Sequence, residues 1–233
     1  MNLRRGHGRP LVIGHRGAAA RERENSRRSL EAAVAAGADI VEFDVSPGLR
    51  LGHSAGDAEE GLTLDEALEL LAPHDVGLQI DLKRPGFEAA AAAVVRSHAL
   101  EERTLFSTAY LRSARLLSDA AGSMPVAIGY PHDRHNVSRF PWPGGVVRPA
   151  AALLAAVMPL RIPSLLRLAR ADALALHHSL CSAAAIAAAH RAGVPVLAWT
   201  VNDPATMRRL DALGVDAIAS DDPERAVATL MSP

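Results

Sequence analysis

The chain has 233 residues, 25 Lys and Arg against 26 Asp and Glu, a formal net charge of −1, and 49% hydrophobic residues with only 3% aromatic. Charge this close to neutral gives no electrostatic case for nucleic acid or an anionic membrane as partner. The single cysteine, Cys181, excludes an internal disulfide and fits a reducing compartment, so a cytoplasmic location is expected.

No apolar core of signal-peptide length follows the basic segment Met1 to Pro10. The longest apolar stretch, Pro149 to Leu160, is broken by Pro159 and Arg161 and is too short to span a bilayer. Short apolar runs alternate with Ala- and Leu-rich amphipathic segments along the whole length. Strands are expected at Leu11–Gly14, Asp39–Val45, Gly77–Leu82, Thr104–Ser107, Val126–Gly129, Ala173–His177, Val196–Thr200 and Ala217–Ser220. The helices between them are Arg27–Ala36, Thr63–Leu71, Phe87–Ser97, Tyr110–Ala120, about Ala150–Leu168, Ala183–Ala192, Pro204–Leu213 and Pro223–Met231. Gly37, Gly193 and Gly214 stand just past helices, where a left-handed cap is favoured. Asp203-Pro204 and Asp222-Pro223 place a capping residue before a proline suited to the first turn. Eight βα units without a long linker predict a single-domain (β/α)8 TIM barrel over 1–233. The segment His132 to Leu168 carries the faintest pattern, because Pro, Gly and Arg interrupt it. A doubly wound sheet shares the alternation, but no G-x-G-x-x-G turn follows the first strand.

Barrel enzymes gather reacting groups at the C-terminal ends of their strands. Here those ends carry His15-Arg16, Glu42 and Asp44, Asp81 and Lys83, Ser107, His177, Trp199 and Asn202, and Asp221. Period-two alternation puts Glu42 and Asp44 on one side of their strand, with Val41, Phe43 and Val45 on the other. Neighbouring carboxylates repel unless a cation or proton lies between them, so Glu42, Asp44 and Asp81 read as oxygen ligands for one divalent cation, Ca2+ or Mg2+. Arg16 and Lys83 suit an anion beside that cation, the first as a fork and the second as a point charge. His15 and His53 can divide acid and base work near neutral pH. Together these groups describe phosphoryl-ester hydrolysis better than acyl transfer.

The chain resembles the glycerophosphodiester phosphodiesterase family from its first strand to its last helix. The likeness rests on His15-Arg16-Gly17 with Glu24-Asn25-Ser26, Glu42-Phe43-Asp44-Val45, His53, and Asp81-Leu82-Lys83. Near the C-terminus it continues in Trp199-Thr200-Val201-Asn202, Gly214-Val215-Asp216-Ala217-Ile218 and Ser220-Asp221-Asp222-Pro223. The resemblance implies a barrel that uses a divalent cation to split glycerophosphodiesters, as small-molecule substrates, into an alcohol and glycerol 3-phosphate. By position it implies His15 and His53 as the acid and base, with His53 the base. Glu42, Asp44 and Asp81 fall on metal ligands, Arg16 and Lys83 on phosphate contacts, and Trp199 on the wall around the glycerol moiety. Glu24 and Asn25 would support the site from its edge.

The sequence departs from the family pattern at several points. Arg23 stands where proline usually precedes Glu-Asn. Ser46 to Leu51 is shorter than the usual hairpin, and His53 is followed by Ser54 rather than Asp. Asp81 replaces a glutamate and predicts weaker cation binding, and Ser220 replaces a threonine. The shortened loop before His53 and Asp81 fit a second reading, a phosphate-binding barrel with little turnover; a third is lysophospholipase D-type activity with Ala150–Leu168 touching a membrane. Of the remaining histidines, His74, His98 and His190 read as surface residues. His132 and His135 fall in the faint segment. His177 and His178, adjacent on a strand, are expected to point to opposite sides. Cys181 lacks the basic surroundings of a nucleophile.

Overall fold

The computed structural model describes residues 1–5, 8–132 and 144–231. Among them, eight parallel strands close into a barrel: β1 (Leu11–Gly14), β2 (Ile40–Ser46), β4 (Gly77–Leu82), β5 (Thr104–Thr108), β6 (Val126–Tyr130), β7 (Ala173–His177), β8 (Val196–Trp199) and β9 (Ala217–Ser220). Closure excludes the doubly wound alternative, since β1 pairs with β9 through Leu11–Ala217 and with β2 through Ile13–Ile40. A short strand, β3 (Arg50–Leu51), runs antiparallel to β2. The helices α1 (Arg27–Ala35), α3 (Leu64–Leu71), α4 (Glu88–Ser97), α5 (Leu111–Ala120), α6 (Gly144–Ala169), α7 (Ala183–Arg191), α8 (Pro204–Leu213) and α9 (Pro223–Met231) follow strands, as the alternation predicts. Additional to that reading are β3, the five-residue helix α2 (Ala55–Glu59) and short 3-10 turns at Glu101–Arg103 and His178–Leu180.

Alternation along the strands divides the core in two. Val41, Phe43 and Val45 of β2 pack outward with Leu64, Leu68 and the other helix faces. Ile13, Ile40, Leu105, Ala127, Ala173, Ala175, Leu197, Ala217 and Ala219 fill the barrel interior. Continuing the inward row toward the strand C-termini reaches His15, Glu42 and Asp44, Asp81, His177, Trp199 and Asp221. The same period that fills the core therefore delivers the polar residues to one mouth.

The opposite end is plugged. Met1 and Leu3 pack on the interior cluster, and Leu3 is buried. The Arg5 guanidinium donates to the Asp211 carbonyl at 2.9 Å, and the Arg5 amide reaches Asp216.

Helix boundaries follow local chemistry. Ser26, Thr63, Ser182 and Asp203 each accept a backbone N–H of the first turn, and at Thr63 the Glu66 carboxylate returns the bond. Gly37, Gly193 and Gly214 all take positive φ, as expected of residues just past helix ends. From Gly144 onward the faint segment forms α6, which continues through Pro159 and Pro163. Met158, Ile162, Leu166 and Ala169 keep a buried stripe down its inner side, so each proline removes one hydrogen bond without ending the helix. Among the described residues, no helix is long and apolar enough to cross a membrane. His135 lies outside the described residues.

The turn after β1 is the most constrained. Gly17 has φ +82°, and a Cβ there would overlap the side chain and backbone of Ser29 in α1. Gly17→Ala is expected to lower stability by about 2 kcal/mol or more, read as a drop in thermal midpoint, because both the conformation and the space oppose it. An unchanged midpoint would mean the turn is less tightly held than its contacts imply.

Candidate active site

The site grows from β1 and β2. His15 follows β1 directly, and its Nδ1 lies 2.7 Å from Asp221 Oδ1 at the end of β9. Arg16 takes φ +51°, a left-handed conformation that costs a non-glycine residue about 1–2 kcal/mol. That turn aims the Arg16 amide at Glu42 Oε2, 2.7 Å away. Asn25, also left-handed at φ +57°, is buried under the site. Its side-chain oxygen accepts the Asp44 amide at 2.9 Å, and its Nδ2 lies 3.4 Å from Asp44 Oδ2. Strained conformations at two positions of one loop mark a place where geometry is held for use.

Asp44, with no exposed surface, is where the site converges. Arg16 Nε lies 3.1 Å from its Oδ2, His53 Nδ1 lies 2.9 Å from the same oxygen, and Lys83 Nζ sits 2.6 Å from Oδ1. Lys83 also reaches Asp81 Oδ2 at 2.5 Å, while Ser107 Oγ donates to Asp81 Oδ1 at 2.7 Å. Glu24, mostly exposed, receives Arg16 Nη1 at 2.6 Å. The two histidines, the arginine, the lysine and all three carboxylates expected from the sequence thus lie around one spot.

The reach of His53 has a local explanation. Gly52 donates its N–H to the Asp44 carbonyl, and Ser46 Oγ donates to the Gly52 carbonyl, so the short β2–β3 hairpin folds back over Asp44. Ser54, in place of the expected Asp, caps α2 in a reciprocal box with Asp57. His53 is therefore held between a hairpin and a capped helix. Arg23 pairs across the surface with Glu60 at 3.7 Å, a contact of little energetic weight.

Charge at the site is unevenly compensated. Burial opposes ionisation of Asp44, but Lys83, His53 and Arg16 outweigh it and hold its carboxyl well below the usual range. Burial also disfavours charge on Lys83 and Arg16, yet the carboxylates beside them raise both pKa values. Glu42 is different. Burial and the negative charge of Asp44 push its carboxyl up to about 7. Burial works against a charged His15, and Asp221 and Glu42 overcome it, so the imidazole pKa is raised.

Glu42, Asp44 and Asp81 each offer an oxygen, all within 4.8 Å of one another. Asp81, although one methylene shorter than the glutamate expected there, still brings an oxygen into this group. Hard oxygen donors with one carboxyl left short of positive charge fit a divalent cation such as Ca2+ or Mg2+.

Trp199 and His177 form a neighbouring wall, their rings T-shaped at 5.3 Å. Among the described residues the buried Trp199 indole N–H has no hydrogen-bond partner. Burial, then His178, depresses His177 to about 4, so the ring is neutral. His177 and His178 do not diverge as adjacent strand residues would. Their rings lie 4.4 Å apart, because β7 ends at His177 and the chain turns into a 3-10 helix at His178. His98 pairs with Asp65 and His190 with the buried Asp216, and His74 is exposed. Buried Cys181 is pushed up to about 12 by its apolar surroundings and stays a thiol. Asp221, Asn202 and Ser107 enter the network as partners of site residues. Their strand-end positions are visible in the sequence, whereas their bonds are not.

The chain matches the Glycerophosphoryl diester phosphodiesterase family over residues 15–46 and 62–225. The match passes over 47–61, the segment that bears His53. A search of curated proteins finds no match. Among solved structures, a glycerophosphodiester phosphodiesterase from Parabacteroides distasonis superposes with TM-score 0.73 at 21% identity, covering 97% of this chain and 99% of that one. An Oleispira antarctica phosphodiesterase in complex with the product sn-glycerol-3-phosphate gives 0.69 at 22% identity, with 96% and 98% covered. A glycerophosphodiester phosphodiesterase from Agrobacterium tumefaciens gives 0.69 at 19% identity, with 94% and 99% covered. At these identities the likeness is one of fold, a complete barrel on both sides. The family match spans most of the chain and contains every strand of that barrel except β1, and on that ground the chain belongs to the glycerophosphoryl diester phosphodiesterase family of enzymes.

Proposed function

We propose that this chain hydrolyses glycerophosphodiesters to an alcohol and glycerol 3-phosphate, with a divalent cation held by Glu42, Asp44 and Asp81. The observation that carries the reading is the convergence of these three carboxylates within 4.8 Å beside His15, His53, Arg16 and Lys83. A divalent cation such as Ca2+ or Mg2+, which Glu42, Asp44 and Asp81 would hold, would supply polarisation of the phosphoryl group and offset developing charge. Arg16 and Lys83 bind the phosphate. Both remain charged at every working pH, since neighbouring carboxylates raise their pKa values. His53 removes a proton from the attacking oxygen through Nε2, its Nδ1 being tied to Asp44. His15 gives a proton to the departing alcohol, a task that its raised pKa supports near neutrality. Trp199 lines the glycerol side, where its unsatisfied N–H can meet a hydroxyl. Asn25 and Glu24 hold Asp44 and Arg16 in place. A small-molecule substrate and a cytoplasmic setting fit the near-neutral charge and the one buried thiol.

The test is release of glycerol 3-phosphate from glycerophosphocholine with Mg2+, Ca2+ or chelator. His15→Ala is expected to cut kcat by about 10²–10⁴-fold, the usual worth of a positioned proton donor, with circular dichroism unchanged. Near-parent activity in that variant would remove His15 from the mechanism, and full turnover in chelator would remove the cation.

A further inference from the structure

We propose that Asp221, clamped by Asn202, is the positioning residue that sets the tautomer and ring orientation of His15. The inference deepens the reading of His15 as proton donor and rests on it. A carboxylate only accepts, so the 2.7 Å contact between Asp221 Oδ1 and His15 Nδ1 requires the proton on Nδ1. The proton exchanged in catalysis is thereby confined to Nε2. The clamp behind Asp221 fixes its direction. Asn202 Nδ2 donates to Asp221 Oδ2 at 2.6 Å. Asn202 Oδ1 accepts the Asp221 amide at 2.9 Å and the Ser220 hydroxyl at 3.0 Å. The amide group of Asn202 cannot flip without losing both its bond to the Asp221 carboxylate and its bond from the Asp221 amide. The strand-end backbone adds a further tie, because the His15 amide donates to the Ser220 carbonyl and the Ala20 amide to that of Asp221. The carboxylate is thus held from β8 and β9 while it holds a ring on β1. Nothing in this chain of bonds touches Glu42, Asp44 or Asp81.

A carboxylate that orients a reacting imidazole is worth about 10–100-fold or more in comparable arrangements. The near-isosteric Asp221→Asn can donate to Nδ1 and so favours the wrong tautomer. It is expected to lower kcat for glycerophosphocholine with saturating Mg2+ by ~10²-fold, with KM within about threefold of the parent. Asn202→Ala is expected to act in the same direction by roughly tenfold, since it loosens the clamp and leaves the carboxylate. The imidazole 15N spectrum of cation-free protein, recorded on the high-pH plateau of the His15 shifts, reads the tautomer of the neutral ring without reference to activity. The His15 resonances, assigned by their loss in His15→Ala, should show protonated Nδ1 in the parent and a shift toward protonated Nε2 in Asp221→Asn. An unchanged 15N pattern overturns the proposal, as does a kcat loss accompanied by an equal rise in KM. If His15→Ala itself retains activity while the 15N pattern shifts as described, the positioning stands and the proton-donor reading falls.

Discussion

Asp44→Asn is expected to cost both activity and stability. Asp44 receives Arg16, His53 and Lys83 at 3.1, 2.9 and 2.6 Å, and its side chain is completely buried. Removing its charge leaves two permanent cations facing an uncharged amide in a place water hardly reaches. Breaking a buried pair in this way costs about 3–5 kcal/mol. Urea unfolding in chelator should therefore show a lower midpoint with an unaltered slope. Glycerol 3-phosphate release should fall about 10³-fold, since one substitution removes a proposed cation ligand and the partner of His53. A variant as stable as the parent would show that Arg16 and Lys83 find other carboxylates, Glu24 and Asp81, at no net cost.

Glu42→Gln should have the opposite sign on stability. In the fold the Glu42 carboxyl is pushed up to about 7 by burial and Asp44, against an ordinary value of 4.5. Below pH 4.5 the folded and unfolded chains are both protonated there, and Glu42 exacts no penalty. As pH rises from 4.5 through 7 the unfolded chain ionises first, so this group's penalty on the cation-free fold grows, and above 7 it is constant. At about 1.4 kcal/mol per pKa unit the full penalty is on the order of 3 kcal/mol. Glutamine keeps an oxygen for the Arg16 amide and carries no charge. In chelator at about pH 8 the variant is expected to melt roughly 5–10 °C above the parent. Its activity should fall by ~10²-fold or more, and added Mg2+ or Ca2+ should no longer raise its melting temperature. A parent that gains nothing from either cation, or a variant that melts lower, would contradict the view of Glu42 as a carboxylate awaiting positive charge. Two positions on one face of one strand thus separate a group stabilised by its surroundings from one that the fold carries at a cost.

Much of this arrangement is legible in the amino-acid order because the periods involved are short. Leu11–Gly14, Gly77–Leu82, Ala173–His177 and Ala217–Ser220 are bounded as the apolar runs suggest, and Pro204 and Pro223 start their helices where the capping residues place them. Alternation in Ile40–Ser46 is enough to set Glu42 and Asp44 together. What escapes such reading is decided by contacts between distant segments. β3 is two residues long and exists through pairing with the end of β2, so no run of its own announces it. α2 depends on the Ser54–Asp57 box, a signal of four residues inside a loop that looks merely short. The outward divergence expected of His177 and His178 assumes that the strand continues past its last residue. Asp221 and Asn202 stand at strand ends in plain view, but the bonds that join them to His15 span about nineteen and 206 positions of sequence.

The plug at the lower mouth gives the molecule two poles with different duties. Met1, Leu3 and Arg5 seal one end through apolar contact and bonds to Asp211 and Asp216, while the charged groups crowd the other. Among the described residues, those that form the seal are distinct from those of the charged mouth, so durability can be adjusted at the sealed pole while turnover is left to the open one. A hardier catalyst is best sought by refining the seal, where a tighter apolar fit strengthens the barrel without disturbing the uncomfortable carboxylates it was built to hold.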